Sequence, residues 1–593
     1  MRALGIARSP RAIRLLRESG LYVPFRLLYE GWPAAERGRF ADLRAFRRRD
    51  APILRAVRGD SSGPRVLFPH MSPGLFRTWV DGMLAKTLEL RGCRPVFVIV
   101  RDDLWHEEYL RGFGFRDFVF AEDVMPDSRG HEARAAGMLA GCRSADDLLA
   151  LRHEGTEIGR HAASRVLRNL RRASLDFDDP ELVAALRQGL ARSIAAAIAA
   201  ERVLDDFRPS LLVTSDQMYT PWAEFFDASL RRGVEGIYWY RSHLEGSLLV
   251  RRYVYENRHE HFFTLTDETW AELRELPRSE ADGEAFLADL REGYARGTWF
   301  ERKFNLTQKR LKTPKEVRAD LGLDPRKKTA FVFSHILYDA TFWFGENLFP
   351  DYGGWLVETV KAAVANPAVE WVIKLHPENV LRAHEAKERY ALENLEEVHL
   401  LRAAVGEVPP HVKLMTPEDD TSTASLFDVA DYALTVRGTV GLEFPCFGVP
   451  TLTAGTGGYS GRGFTIDSAT PREYLDRLAR IQDVPRLSAE ETALAQRFSH
   501  GVFRLKPFPV TSFGWKRNPD KATDTFSYYD FELLARSPEE LRAAPDLARL
   551  ADWALASDRR ELLGGGQAAA ALEADSVEDV MRGTEDAPSL VGR

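Results

Sequence analysis

Arg437-Gly438-Thr439 follows the apolar run 432–436 and precedes a helical pattern over 440–447. Amide N–H groups at such a strand-to-helix turn bind phosphate, and a glycine lets a ligand approach the backbone. Glu443 stands one helical turn after Thr439, so the spacing points it at the same mouth. A carboxylate there accepts hydrogen bonds from ribose hydroxyls. Pro445 lies inside that helix, where it removes a backbone hydrogen bond and favours a kink. Two histidines hold comparable positions. Ser334-His335 ends the run 329–333, and Lys374-Leu375-His376-Pro377 ends the run 371–375.

These residues need a scaffold, and the surrounding pattern supplies one. Runs at 412–414, 432–436 and 451–454 read as strands, with helices at 424–430 and 440–447 between them. Such alternation favours a parallel sheet that binds ligands at the carboxyl ends of its strands. Upstream, 65–69, 76–90 and 96–100 read as a first βαβ unit, with His70 directly after the first strand. No GxGxxG follows that strand, so no dinucleotide cofactor is expected. Farther on come a long Ala- and Arg-rich helix at 181–203, a strand ending in Asp216, a helix at 222–232 and a strand at 237–240.

The order of strand, Arg437-Gly438-Thr439, helix with Glu443, Gly448-Val449-Pro450, strand and Gly458-Tyr459-Ser460-Gly461-Arg462-Gly463-Phe464 resembles bacterial capsule polysaccharide biosynthesis proteins. These are glycosyltransferases of the two-Rossmann-domain type called GT-B. Lys374-Leu375-His376-Pro377 is similar to the His-Pro motif of bacterial sialyltransferases and Kdo transferases, which use CMP-sugars. The similarity spans residues 330–480 and holds only in outline before them. It implies an α/β chain with two Rossmann-like domains, a cleft between them and a helical N-terminal extension. The implied donor is a nucleotide-sugar, a substrate and not a cofactor. The implied acceptor is a saccharide or a lipid-linked glycan. Transfer is expected to be inverting and metal-independent. Rival readings are a CDP-glycerol-type phosphotransferase, a nucleotide-sugar epimerase and a non-catalytic scaffold of polysaccharide assembly.

Each candidate has a plainer reading. His376 either caps a neighbouring loop or, as the resemblance implies, stabilises charge on a departing phosphate. Arg437, Gly438, Thr439 and Glu443 form either a phosphate and ribose site or a tight turn beside a surface acid. Ser422, in Asp419-Asp420-Thr421-Ser422-Thr423, is a helix cap or a base contact. Tyr459 sits in a glycine-rich loop that approaches a sugar or simply flexes. Ser334, His335, Lys374 and Pro377 complete the donor-side set. For the base that takes the acceptor proton, the strand-end candidates are His70, Asp216 and Asp81, the last of which can also be merely solvated.

The whole chain has 593 residues and a net charge of −7, which disfavours nucleic acid as a partner. Three widely spaced cysteines lack CxxC spacing, so no zinc site or disulfide framework is expected and a reducing cytoplasm suits them. No stretch reads as a membrane span or a signal peptide. Residues 1–60 carry fourteen Arg against six acids, interleaved with apolar and aromatic residues. They read as a basic helical extension that packs on the first domain or docks on an anionic membrane surface. The expected divisions are 1–60, an acceptor domain at 61–270, a helical connection at 271–325, a nucleotide-sugar domain at 326–500, crossing helices at 501–560 and a disordered tail at 561–593. The expected location is cytoplasmic, peripheral on the inner face of the membrane.

Overall fold

The computed structural model describes residues 16, 21–25 and 34–565, apart from 61, 72–73, 102, 278–279, 297–298, 300–308, 386–388, 519–520 and 522–527. Short apolar runs form its strands because both faces of each sheet are covered by helices. In the first domain these are β1 (Arg65–Pro69), β2 (Arg94–Ile99), β3 (Phe118–Phe120), β4 (Leu211–Thr214), β5 (Glu235–Arg241) and β6 (Ser247–Tyr253). In the second they are β7 (Lys328–Phe333), β8 (Val369–Lys374), β9 (Val412–Met415), β10 (Tyr432–Thr435), β11 (Thr451–Thr453) and β12 (Ile466–Asp467). The C-terminal part adds β13 (Phe508–Pro509), β14 (Phe513–Arg517), β15 (Tyr529–Leu533) and β16 (Glu561–Leu562).

Both sheets have the same winding. The first runs β3-β2-β1-β4-β5 in parallel, with β6 antiparallel to β5. The second runs β9-β8-β7-β10-β11-β12, parallel throughout. Chain order therefore reverses between β1 and β4 and again between β7 and β10, and such switch points open crevices at the strands' carboxyl ends. The molecule is a two-domain Rossmann-like α/β protein of GT-B architecture, with a cleft shared by the two domains.

The chain returns to the first domain with strands as well as helices. β13 and β16 both pair with β6, so the stretch expected to begin a tail starts as a sheet strand. The rest of that expected tail, 566–593, lies outside the described residues. β14 and β15 form a hairpin in the stretch 503–529 and just beyond it, which reads as irregular from sequence.

Two further expectations change. The helix Pro180–Phe207 is long and apolar enough to pass for a membrane span. Its apolar face is buried beneath the helices Ile158–Leu170 and Trp222–Arg231, so it is a core helix of the first domain. The basic helix Ala34–Arg49 lays Leu43 and Phe46 into the first core, where Phe46 packs against Trp79 at 5.2 Å and Tyr109 at 4.9 Å. Burying one such aromatic contributes about 2 kcal/mol. Of the arm segments 13–17 and 24–28, which mix Arg with apolar residues, only residues 16, 24 and 25 are described; the rest, with Tyr29 and Trp32, lies outside the described residues.

Candidate functional site

The cleft is a cavity of about 860 Å³ reached by strand ends of both sheets. From the second domain come Ser334 and His335 after β7, Lys374, His376 and Pro377 at the end of β8, and Arg437, Gly438 and Thr439 after β10. From the first come Asp216 after β4 and Arg77 on the helix that follows β1. Among the described residues, seven Lys and Arg line the cavity against three acids, whereas the whole chain is acidic. A cleft of one sign between low-dielectric walls concentrates ions of the other sign.

His335 spans the second switch point. Its Nε2 accepts the N–H groups of Val436 at 3.2 Å and Arg437 at 3.4 Å, and Thr435 Oγ1 lies 3.2 Å away. The ring stacks on Tyr352 at 4.3 Å. Burial, reinforced by Arg437, pushes this imidazole down to about 3. A neutral ring whose Nε2 accepts must carry its proton on Nδ1. On His376, Nδ1 accepts the Glu378 N–H at 3.2 Å, which puts a proton on Nε2. Ser334 donates its N–H to the Lys374 carbonyl at 3.0 Å, and its buried hydroxyl has no partner among the described residues.

The turn after β10 is organised differently from the expected phosphate cradle. Three of its amides are already used. Val436 and Arg437 donate to His335, and Gly438 donates to Thr435 Oγ1 at 3.0 Å. The Arg437 guanidinium reaches the carbonyls of Trp343, Gly345 and Glu346 and the Asn347 side chain. Arg437 thus holds the loop 343–347 in place. The helix itself covers only Val440–Glu443 before Phe444–Phe447 tightens to a 3-10 turn containing Pro445.

Glu443 is fully buried, away from the mouth where the spacing placed it. Its carboxylate accepts the Tyr294 hydroxyl at 2.7 Å and the Trp299 Nε1–H at 3.2 Å, both from the segment joining the domains. Those two aromatic residues line the cleft in its stead. Tyr459 lines the cleft but is buried, and its hydroxyl donates to the Gly438 carbonyl at 2.8 Å. A Cβ on Gly441 would stand 2.2 Å from that ring, so only glycine fits beneath it. Ser422 caps the 3-10 turn Thr423–Leu426, and its neighbour Thr423 is the one that lines the cleft. Asp420 is paired with Arg310 at 2.6 Å and Lys312 at 2.5 Å.

On the acceptor side the strand-end candidates separate. His70 is buried and does not line the cleft; its Nδ1 meets Asp81 Oδ2 at 2.6 Å and its Nε2 meets His106 Nδ1 at 2.7 Å. Asp81 is not solvated, since it also accepts the Trp239 Nε1–H at 2.7 Å. Burial pushes Asp103, next in this chain of groups, up to about 6, although His70 opposes the shift. Asp216 does line the cleft. Its Oδ1 accepts the Met218 and Tyr219 N–H groups at 3.0 and 3.2 Å, and Oδ2 lies 3.8 Å from Arg77.

Sequence patterns overlooked several cleft residues. Arg168 pairs across the cleft with Asp339, and Tyr219 donates to the same carboxylate. Burial opposes the Arg168 charge, yet Asp339 and Tyr219 raise its pKa above the ordinary value. His261 lines the cleft, and burial with Arg437 nearby pushes it down to about 3. The cluster Arg258-His259-Glu260-His261 was visible as a signal, but it falls where the first domain was expected to close.

No family model matches this chain, and no curated protein matches it. Among solved structures, a β-Kdo 2,4 transferase, KpsC of Thermosulfurimonas dismutans, is 14% identical, covering 56% of this chain and 87% of its own, with a TM-score of 0.29. A UDP-GlcNAc 2-epimerase from Neisseria meningitidis bound to UDP-GlcNAc is 11% identical over 74% of this chain and 97% of its own, with a TM-score of 0.25. The spinosyn rhamnosyltransferase SpnG is 12% identical over 74% of this chain and 96% of its own, with a TM-score of 0.24.

Proposed function

We propose that the chain is a glycosyltransferase that takes a nucleotide-sugar in the cleft and passes the sugar to a saccharide acceptor of a surface polysaccharide. The observation that carries this reading is the cationic cleft at two facing switch points, with imidazole donors on the nucleotide side and a carboxylate on the other. The diphosphate or monophosphate of the donor is drawn in by the excess of Lys and Arg. His335 Nδ1–H, His376 Nε2–H and the Ser334 hydroxyl supply hydrogen bonds to it. The likeness of the His-Pro motif favours a CMP-linked donor.

In the transfer, the bond between the anomeric carbon and the phosphate oxygen breaks, and its electron pair stays on phosphate. The acceptor oxygen bonds to the anomeric carbon, and its proton passes to Asp216. His376 acts where negative charge grows, which lowers the barrier without tightening the ground state. Attack on the face opposite the leaving phosphate makes the transfer inverting, and cationic side chains serve the phosphate in place of a metal.

The outer stripe of the helix Ala34–Arg49 adds a location. Arg37, Arg44 and Arg48 share one exposed face, while the apolar face is buried in the first domain. That stripe suits the anionic inner face of the cytoplasmic membrane through charge alone. A thermal-shift screen with CMP, CDP, UDP and GDP tests the function: one nucleotide raises the melting temperature by mass action. A flat response to all four contradicts it.

A further inference from the structure

Beside the cleft lies a second cavity of about 310 Å³, formed between the helices Ile158–Leu170 and Pro180–Phe207 and the segment Thr220-Pro221. Arg165 lines both cavities and so stands at their junction. Its neighbours on the same helix are paired: Arg160 with Glu157 at 3.2 Å and Arg168 with Asp339. Among the described residues Arg165 makes no ion pair and no hydrogen bond, and Asp216 acts on it only from beyond ion-pair distance. The guanidinium lies over Trp222 at 5.3 Å and Tyr219 at 6.0 Å. Stacking fixes the plane and leaves its N–H edges for an oxyanion. Burial lowers the pKa of this arginine, as expected of a charge that lacks a counter-ion.

The remainder of the cavity is of another character. Val166, Leu170, Ala185, Pro221 and Met125 give it apolar walls. Arg192, a second cation without an ion pair among the described residues, is exposed at its edge. Apolar walls ending at an unpaired guanidinium match a ligand with an oxyanion on an apolar stem.

We propose that this cavity holds the anionic end of the acceptor, a phosphate or carboxylate carried on an apolar segment, with Arg165 as the anchor. The proposal rests on the transferase reading, and it adds the acceptor's chemical class to that reading. An anion held at Arg165 keeps the remainder of the acceptor beside Asp216, whose charge already acts on that guanidinium.

Calorimetric titration of the full chain with octyl phosphate tests this, with octanoate, inorganic phosphate and octyl glucoside as comparisons. Octyl phosphate or octanoate should bind saturably, and inorganic phosphate and octyl glucoside at least about tenfold more weakly, since each lacks half of the recognised chemistry. The stronger of the two octyl anions identifies the oxyanion. Arg165→Met should weaken that binding by about tenfold or more. Ala185→Phe fills the apolar end and should do the same while nucleotide affinity stays unchanged. Gln188→Trp, at an exposed rim position, serves as a second blocking variant should Ala185→Phe fail to fold. Equal affinity for octyl phosphate, octanoate and octyl glucoside, or octyl-anion binding untouched by Arg165→Met and by a folded blocking variant, overturns the proposal. A chain that binds nucleotide but neither octyl anion sinks this inference alone. Octyl-anion binding that follows the variants, in a chain that takes no nucleotide, supports the cavity's ligand and sinks the donor reading instead.

Discussion

The His335 Nε2 atom lies 3.2 Å from the amide nitrogen of Val436, so one imidazole ties the end of β7 to the end of β10 across the switch point. The contact orders the turn that carries Arg437 to Thr439 and sends the ring's own proton to Nδ1. Replacing His335 with Ala leaves the Val436 and Arg437 amides without their acceptor. A loss of about 1–3 kcal/mol in unfolding free energy is expected. Urea denaturation measures it, and a variant as stable as the wild type would show that water replaces the imidazole at no cost.

The pH dependence of stability has a definite sign. Burial pushes His243, His261 and His335 down to about 3, and burial with His70 beside it holds His106 well below its ordinary value. Each is neutral in the native state, whereas its unfolded counterpart protonates near 6.5. Their contribution is therefore full above 6.5 and is lost as pH falls toward 3. Asp103, pushed up to about 6 by burial, works the other way, because it binds its proton in the native state first. Glu108, Glu224, Asp351 and Glu397, also raised by burial, act in the same sense as Asp103, and His153, lowered by burial, joins the other histidines. The unfolded histidines are the first of these groups to take up protons as pH falls from 7, whereas unfolded carboxylates do so only at about 4, so the histidines set the sign at the start of the fall. The urea midpoint should drop between pH 7 and pH 5, and a constant or rising midpoint would contradict the assignment.

His376→Ala should lower turnover by about 100-fold or more while the donor's Michaelis constant moves little, because charge on the departing phosphate exists mainly in the transition state. Steady-state kinetics with the donor identified by the nucleotide screen separates the two constants. A change confined to the Michaelis constant makes His376 a binding residue.

Neutralising the outer stripe of the N-terminal helix with Arg37→Gln, Arg44→Gln and Arg48→Gln together should release the full chain from vesicles containing anionic lipid, without unfolding it. Co-sedimentation at low and high salt reads this out, since exposed charge attraction is screened over about 10 Å at 0.1 M salt. Equal partitioning of the two proteins, at both salt levels, would leave the helix with packing as its whole role.

Much of this architecture was readable from the chain before any coordinates. β7 to β11 are apolar runs ending in polar residues, and their spacing with helices between them dictates a parallel sheet with Ser334, His335, His376 and Arg437 at one edge. Side-chain direction was not readable in the same way. Glu443 has the correct helical spacing from Thr439, yet Tyr294 and Trp299, some 144–149 residues away in sequence, capture its carboxylate. His70 follows β1 as a catalytic base would, but Asp81 and His106 draw the ring into the interior. Local spacing places a residue at a strand end, and long-range hydrogen bonds then decide which way it turns. Arg165 offered no sequence signal at all, because its importance lies in the partner it lacks.

Whether the cleft between the two domains takes the nucleotide is read out by a calorimetric titration. The full chain and Gly438→Val are titrated calorimetrically, each with and without EDTA, using the nucleotide that gives the largest thermal shift. A Cβ at position 438 would stand 2.9 Å from Thr435 Oγ1 and crowd the turn that lines the cleft. One nucleotide should bind per chain, with an affinity unchanged by EDTA and reduced at least about tenfold in a folded Gly438→Val chain. Binding that vanishes with EDTA, or that Gly438→Val leaves intact, would contradict this reading.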